Sequence, residues 1–240
     1  MQNGNSTITV AGLGDLHVAE STAHPFRELF AEVSGEADVL ALCGDLTNLG
    51  KVKEAEILAE DLHACKIPVV GVLGNHDLEC GESERVLEIL QQAGVRFLET
   101  QVYEIEGVGF AGVKGFAGGF GSHMLGAFGE EAIKHFVGEA VNEAMRLENA
   151  LHSLTTERTV IVLHYAPITA TLEGEPKDIF PFLGSSRLAE TIDRFDVSAV
   201  LHGHAHHGTY AGKTTKGIPV YNCAQHVPKE SGKPYALIKV

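Results

Sequence analysis

The sequence predicts an α/β protein built on a largely parallel core, and three observations predict it. Short runs rich in Val, Ile and Leu recur along the whole chain, and stretches with helical spacing stand between them. The 240 residues, 44% hydrophobic and 21% charged, also suit one large layered domain.

The strand candidates are ITVAGL (8–13), DVLALC (38–43), PVVGVL (68–73), VGFAGV (108–113), TVIVL (159–163), VSAVL (197–201), IPVYNC (218–223) and YALIKV (235–240). Pro25 suits a first helical position, and Phe26, Leu29, Phe30 and Val33 then recur on one face. A second helix follows Gly50, and its Glu54, Glu56, Glu60 and Asp61 read as a solvated face. A third runs from about Ser83 to Ala93, with Val86, Leu87 and Leu90 inward and Gly94 as its C-terminal cap. The longest begins near Glu130, where Ile133, Phe136, Val137, Ala140, Val141, Ala144, Leu147 and Leu151 form a core stripe. A last helix starts at Ser185 or Ser186 and carries Leu188, Ile192 and Phe195.

Nothing splits the chain, so residues 1–240 are expected to form one domain. The glycine-rich tract 112–129 is too flexible for a packed element and reads either as a floppy surface loop or as a lid over a site. A net charge of −14 opposes binding to nucleic acid or anionic lipid, so neither a nucleic-acid nor a membrane partner is expected. The N-terminal segment shows no secretory signal, and no apolar run nears the roughly 18 residues that cross a bilayer. Cys43, Cys65, Cys80 and Cys223 have no CxxC spacing and read as small buried hydrophobes in a reduced, cytoplasmic protein. The oligomeric state is left open.

Function is written at the strand ends. The first run ends in Asp15 and His17, the second in Asp45 and Asn48, the third in Asn75, His76 and Asp77. His164 follows 159–163, and HGHAHH with His202, His204, His206 and His207 follows 197–201. Any one of these acids or amides alone suits a turn or a cap. Five strand ends have no shared reason to carry them, whereas open α/β sheets bind ligands outside their strands' carboxyl ends. Carboxylate, imidazole and amide ligands without thiolate favour Mn, Fe or Zn, and the set exceeds what one tetrahedral zinc uses. Two divalent ions are the inference. Such pairs clamp the attacking and leaving oxygens of a phosphoryl displacement and reverse a local field hostile to phosphate.

The order DxH, GDxxN, GNHD, an isolated His before Pro, and GHxH, running from Asp15 to His206, resembles the calcineurin-like metallophosphoesterase superfamily. The resemblance implies a sandwich of two mixed sheets flanked by helices. It implies that Asp15, His17 and His206 bind one metal, that Asn75, His164 and His204 bind the other, and that Asp45 bridges them. His204 and His206 share one side of an extended segment by their i, i+2 spacing. His76 is similar to the family's catalytic histidine, which touches the phosphate and protonates the leaving oxygen, with Asp77 orienting it. His202 has the parity of His204 and suits a supporting contact, while His207 faces solvent. GDLTNLG and GNHDLECGE lack the arginines of the phosphoprotein phosphatases and look more like the bacterial phosphodiesterase branch. Tyr165 stands where many relatives have a second His.

The leading expectation is therefore hydrolysis of a phosphodiester by in-line attack of metal-bound hydroxide on a small phosphorylated metabolite or nucleotide. A phosphomonoesterase and a catalytically silent scaffold remain as alternatives. His123, in the glycine-rich tract, and His226 are further candidates to shape the pocket.

Overall fold

A computed structural model of the chain describes residues 7–21, 23–99 and 101–240. One sheet holds β1 (Thr9–Leu13), β2 (Val39–Cys43), β3 (Val69–Val72), β4 (Val95–Phe97) and β11 (Ala236–Lys239) in the order β11-β1-β2-β3-β4. The other holds β5 (Tyr103–Ile105), β6 (Val108–Val113), β7 (Arg158–Leu163), β8 (Ala199–His202), β9 (Ala211–Lys213) and β10 (Pro219–Asn222) in the order β5-β6-β7-β8-β10-β9. Within each sheet the central pairs are parallel, and β11, β5 and β9 close edges in antiparallel fashion. These are the two mixed sheets that the resemblance implies. All eight predicted strands form. The three that sequence pattern missed, β4, β5 and β9, are three-residue edge strands, too short to show a period.

The strands read as unbroken apolar runs because both faces are covered. Between the sheets, Val10, Val39, Ala41, Val70 and Val72 meet Phe110, Val160, Val162 and Leu201. On the outer face of the first sheet lie α1 (Arg27–Ser34), α2 (Val52–Leu62) and α3 (Ser83–Gln92), which bury Phe30, Val33, Leu58, Leu62, Val86 and Leu90 against Leu40 and Leu42. On the outer face of the second lie α4 (Glu131–His152) and α6 (Ser186–Ile192), packed through Leu147, Leu151, Leu188 and Ile192. A single turn, α5 (Phe180–Leu183), precedes α6. Ser185 caps α6 by accepting from the Arg187 N–H. No helix among the described residues is long and apolar enough to cross a membrane.

Several expectations need correction. Glu54 and Asp61 do not belong to a solvated face; they are 1% and 0% exposed. Glu54 accepts from the Leu49 and Lys51 N–H groups at the start of its own helix, and Asp61 accepts from Phe26 N–H and His24, holding the start of α1. Orphan donors at helix starts explain why these acids are inside. Because Asp61 serves that end, α1 starts at Arg27, two residues past Pro25. Ile133 lies in the first turn of α4 and stays 37% exposed. Cys80 is exposed, its thiol donating to the Gly50 carbonyl at 2.8 Å. The glycine-rich tract divides in two. Ala117 is buried and Gly118 and Gly119 donate to the Pro181 and Gly184 carbonyls, whereas Phe128 is 94% exposed.

Candidate metal centre

At the carboxyl ends of β1, β2 and β8 the backbone turns sharply. Asp15, His17, Asp45 and His204 adopt φ of 60°, 45°, 51° and 70°. Left-handed backbone at a non-glycine residue costs of order 1–3 kcal/mol and survives only where its surroundings over-determine it. Asp and His tolerate it best, which is one reason these types stand here. Two glycines let the turns close. A Cβ on Gly44, φ 82°, would lie 2.6 Å from His164 Nδ1, and one on Gly74 would lie 2.0 Å from Asp45 Oδ1.

The turns bring all seven candidate ligands together in two overlapping groups. His206 Nε2 lies 2.9 Å from Asp15 Oδ1 and 3.5 Å from His17 Nε2. His164 Nε2 lies 2.9 Å from Asn75 Oδ1 and 3.4 Å from Asp45 Oδ1, and its ring centroid is 4.7 Å from that of His204. Asp45 stands between the groups, its Oδ2 3.9 Å from His17 Nε2. In Asp15, His17 and His206, and again in Asp45, His164 and His204, the donor atoms lie within 4.8 Å of one another. The i, i+2 argument for the two histidines is corrected. His204 is left-handed rather than extended, so it joins one group while His206 joins the other.

Hydrogen bonds decide which atom each ring offers. His164 Nδ1 donates to the Cys43 carbonyl at 2.9 Å, so Nε2 turns a lone pair toward Asn75 Oδ1 and Asp45 Oδ1. An imidazole nitrogen, an amide oxygen and a carboxylate oxygen converging on one point make a donor set that a divalent cation would satisfy. His204 Nε2 donates to the Phe182 carbonyl at 3.4 Å, which leaves Nδ1 for the site. Burial holds its imidazole down to about 3, helped by the neighbouring His164, so the ring is neutral as a ligand must be. Burial also lowers His17, against the pull of Asp45 and Asp15. His206 is raised, first by its hydrogen bond to Asp15. Burial pushes the Asp15 carboxyl up, but His206 and the nearby imidazoles outweigh it and hold it below the usual range. His17 Nδ1 is a buried atom without a hydrogen-bond partner among the described residues. The donor set therefore fits divalent cations.

His76 stands at the rim, its side chain 40% exposed and its Nε2 4.0 Å from Asp45 Oδ2. The expected pairing with Asp77 is replaced. His76 Nδ1 donates to the Asn48 carbonyl at 2.7 Å, while Asp77 is fully buried and accepts from the Leu46, Thr47 and Gly74 N–H groups and the Thr47 hydroxyl. Asp77 thus braces the turn that carries Asp45. His202 is buried and sits behind the site, donating through Nδ1 to the Gly203 carbonyl and accepting from the Thr171 hydroxyl at 2.8 Å. His207 is exposed, and the His226 ring stands 5.9 Å from that of His206. His123 lines a separate cavity of about 580 Å³ with Ser122, Ser186 and Lys213.

Sequence reasoning missed several supporting residues. Asn222 Nδ2 donates to the Ala205 carbonyl, and Glu175 accepts from the His207 N–H, so both grip the loop between β8 and β9. Asn222 ends β10, and the strand-end rule applied to that strand would have found it. Glu99 is half-buried with its carboxylate turned inward, accepting from Leu73 N–H with one oxygen while the other is buried and has no partner among the described residues. Burial pushes its carboxyl up to about 7. Tyr165 packs its ring 4.4 Å from that of His204 and 5.4 Å from that of His164, with the Lys114 ammonium 5.3 Å from its centroid.

The family model for calcineurin-like phosphoesterases matches residues 8–208, which holds every one of these candidate ligands. The chain belongs to that family. It is accordingly a metal-dependent phosphoester hydrolase by class. No match was found among the curated proteins. Among solved structures, the fold is similar to phosphopantetheinyl hydrolase from Mycobacterium tuberculosis, with TM-score 0.68 and 14% identity over 96% of this chain and 95% of that one. It is also similar to the protein TT1561 of Thermus thermophilus, with TM-score 0.61 and 16% identity over 98% and 99%. A purple acid phosphatase from yellow lupin gives TM-score 0.56 and 12% identity over 98% of this chain but 45% of that larger one. At such identities the likeness is one of fold.

Proposed function

We propose that the protein hydrolyses a phosphodiester of a small metabolite or nucleotide with two divalent ions, manganese, iron or zinc, held between its strand ends. Asp15, His17 and His206 would hold one ion, Asn75, His164 and His204 the other, and Asp45 would bridge. The observation that carries the reading is the convergence of Asn75 Oδ1 and Asp45 Oδ1 on His164 Nε2, at 2.9 Å and 3.4 Å, with the ring's other nitrogen engaged by the Cys43 carbonyl. When bound, the ions supply charge neutralisation and an activated water for in-line displacement at phosphorus.

The chain's own residues do the rest. His76, fixed through Nδ1 by Asn48, presents Nε2 at the open rim, where it hydrogen-bonds the phosphoryl group and hands a proton to the departing oxygen. Asp77, Thr47 and Gly74 hold the turn that aims Asp45. The Asp15 carboxylate receives the His204 N–H on both oxygens at 3.0 Å, which locks the β8 turn against β1. The diester is favoured because GDLTNLG and GNHDLECGE supply no arginine to grip the extra charge of a monoester dianion.

Turnover of bis-p-nitrophenyl phosphate against p-nitrophenyl phosphate, with Mn²⁺ supplied, tests the reading. A higher kcat/KM for the diester supports it, and a clear preference for the monoester replaces it with a phosphomonoesterase. Absence of both turnover and bound metal would mean a silent scaffold.

A further inference from the structure

The cavity of about 580 Å³ that His123 lines opens beside α6, and none of the seven candidate ligands lines it. Along α6 its wall is Ser186, Ala189, Glu190 and Asp193, which the i, i+3, i+4, i+7 spacing puts on one face. Other walls come from Pro167, Ile168, Thr169 and Ala170 after β7, and from Lys213 and Thr215 at the end of β9 and just beyond. The turn 121–123 of the glycine-rich tract completes the lining. It is fixed there, because the Gly121 N–H donates to the Ser186 hydroxyl at 2.9 Å and the Ser186 N–H donates to the Gly119 carbonyl at 3.1 Å.

Three charged side chains line the cavity, and of these Glu190 and Lys213 are exposed while Asp193 is buried, at 9%. Asp193 caps the C-terminus of α6, where free carbonyls already concentrate negative charge, so the helix itself disfavours a carboxylate there. Its Oδ2 accepts from the Thr215 hydroxyl. Its Oδ1 has no hydrogen-bond partner, and Asp193 forms no ion pair among the described residues. A buried carboxylate without a cation is costly, so its place in a cavity wall calls for a positive donor from outside the chain. Two carboxylates, Glu190 and Asp193, against the one ammonium of Lys213 also favour a cation over an anion.

We propose that this cavity is a second ligand site, separate from the metal centre, for a small organic amine. The ammonium would donate to Asp193, and an aliphatic stem would lie on Pro167, Ile168 and Ala189. A volume of this order suits a small molecule rather than a folded partner. The site stands apart from the hydrolase reading, since it shares no residue with the candidate ligands.

Amide NMR titration of the protein with Zn²⁺ supplied, using pentylamine and pentanol at physiological salt, tests this. The wild type should bind pentylamine about tenfold more tightly, with shifts centred on Ala189, Asp193 and Thr215. Asp193→Asn keeps the side chain's shape and should bring the two affinities together, while Ala189→Trp should fill the cavity and abolish both. Glu56→Gln, at an exposed acid on α2, should leave the preference intact. Equal affinities in the wild type would overturn the proposal, and so would a preference that survives Asp193→Asn, which would show attraction to the net charge alone. Should Asp193→Asn fail to fold, unchanged pentylamine binding by Ala189→Trp overturns it instead. A lysine peptide that outcompetes pentylamine would assign the cavity to a protein partner, against the free amine proposed.

Discussion

The two halves of the candidate centre are built differently. Around Asp15, the His17 and His206 side chains keep 18% and 34% of their surface, and a proton shared between His206 and Asp15 satisfies both groups. Around Asp45, His164 is 0% exposed, and its Nε2 meets Asn75 Oδ1 and Asp45 Oδ1 at 2.9 Å and 3.4 Å in a pocket closed to solvent. The first half thus holds an open, hydrogen-bonded carboxylate–imidazole pair beside a His17 whose Nδ1 has no partner among the described residues, while the second is sealed. Water and protons compete for the first and are kept from the second, so the second half should hold its ion more firmly.

Asp45 belongs to both halves, and removing its charge is the strongest way to break the contrast. Asp45→Asn should lower kcat on the chromogenic diester by roughly a thousandfold. Steady-state kinetics with Mn²⁺ in excess decides it, and a loss under tenfold would deny Asp45 the bridging role.

The support behind the second half gives the next largest effect, on stability. The folded-state pKa of Glu99 is raised to about 7 from the usual 4.5, first by burial and then by the nearby Glu143 and Asp77 carboxylates. The Lys114 ammonium faces the same cluster. A raised carboxyl keeps its proton in the folded state after the unfolded chain has released it, so stability falls as pH rises from about 4.5 to about 7. Glu99→Gln removes that loss and should stabilise the protein by about 3 kcal/mol at pH 8, with little gain at pH 4. Thermal unfolding at the two pH values measures the difference, and an equal shift at both would rule out titration as the cause.

Proton competition sharpens the contrast directly. Because His206 is raised by its bond to Asp15 while His204 is held near 3, acidification should displace the ion of the first half while the second keeps its own. Below the His206 pKa the affinity of the first half should fall about tenfold per pH unit. Metal analysis after dialysis at pH 8 and pH 5.5 should show two ions per chain becoming about one.

The smallest effect tests the brace on His202. Thr171→Val removes the hydroxyl that donates to His202 Nε2 and should cost about 1 kcal/mol of stability. It should also weaken the ion at the second half by about tenfold, because His202 holds the turn that carries His204. A chelator-competition titration reads this, and an unchanged affinity would confine His202 to packing.

Much of this was legible beforehand for physical reasons that can be named. Strands buried on both faces must be apolar along their whole length, so β1, β2, β3, β6, β7 and β8 stood out; β10 and β11, buried on one face, were still apolar enough to read, while the short edge strands were not. Polar residues immediately after such runs stood out equally, which is how the seven ligand candidates were found. Glu54, Asp61 and Asp77 were misread because each accepts from backbone N–H groups whose positions depend on the fold. In sequence, an acid that holds a helix start looks the same as one that faces water.

Sequence alone determined which residue types gather at the strand ends, since apolar patterning fixes where strands stop and ligand chemistry restricts what can follow. Only the tertiary structure decided how deeply each group of those residues is buried, which nitrogen each imidazole offers, and that Asn48 rather than Asp77 orients His76. Those choices turn on hydrogen bonds between segments 22 to 191 residues apart, and contacts at that separation exist only once the sheets have packed.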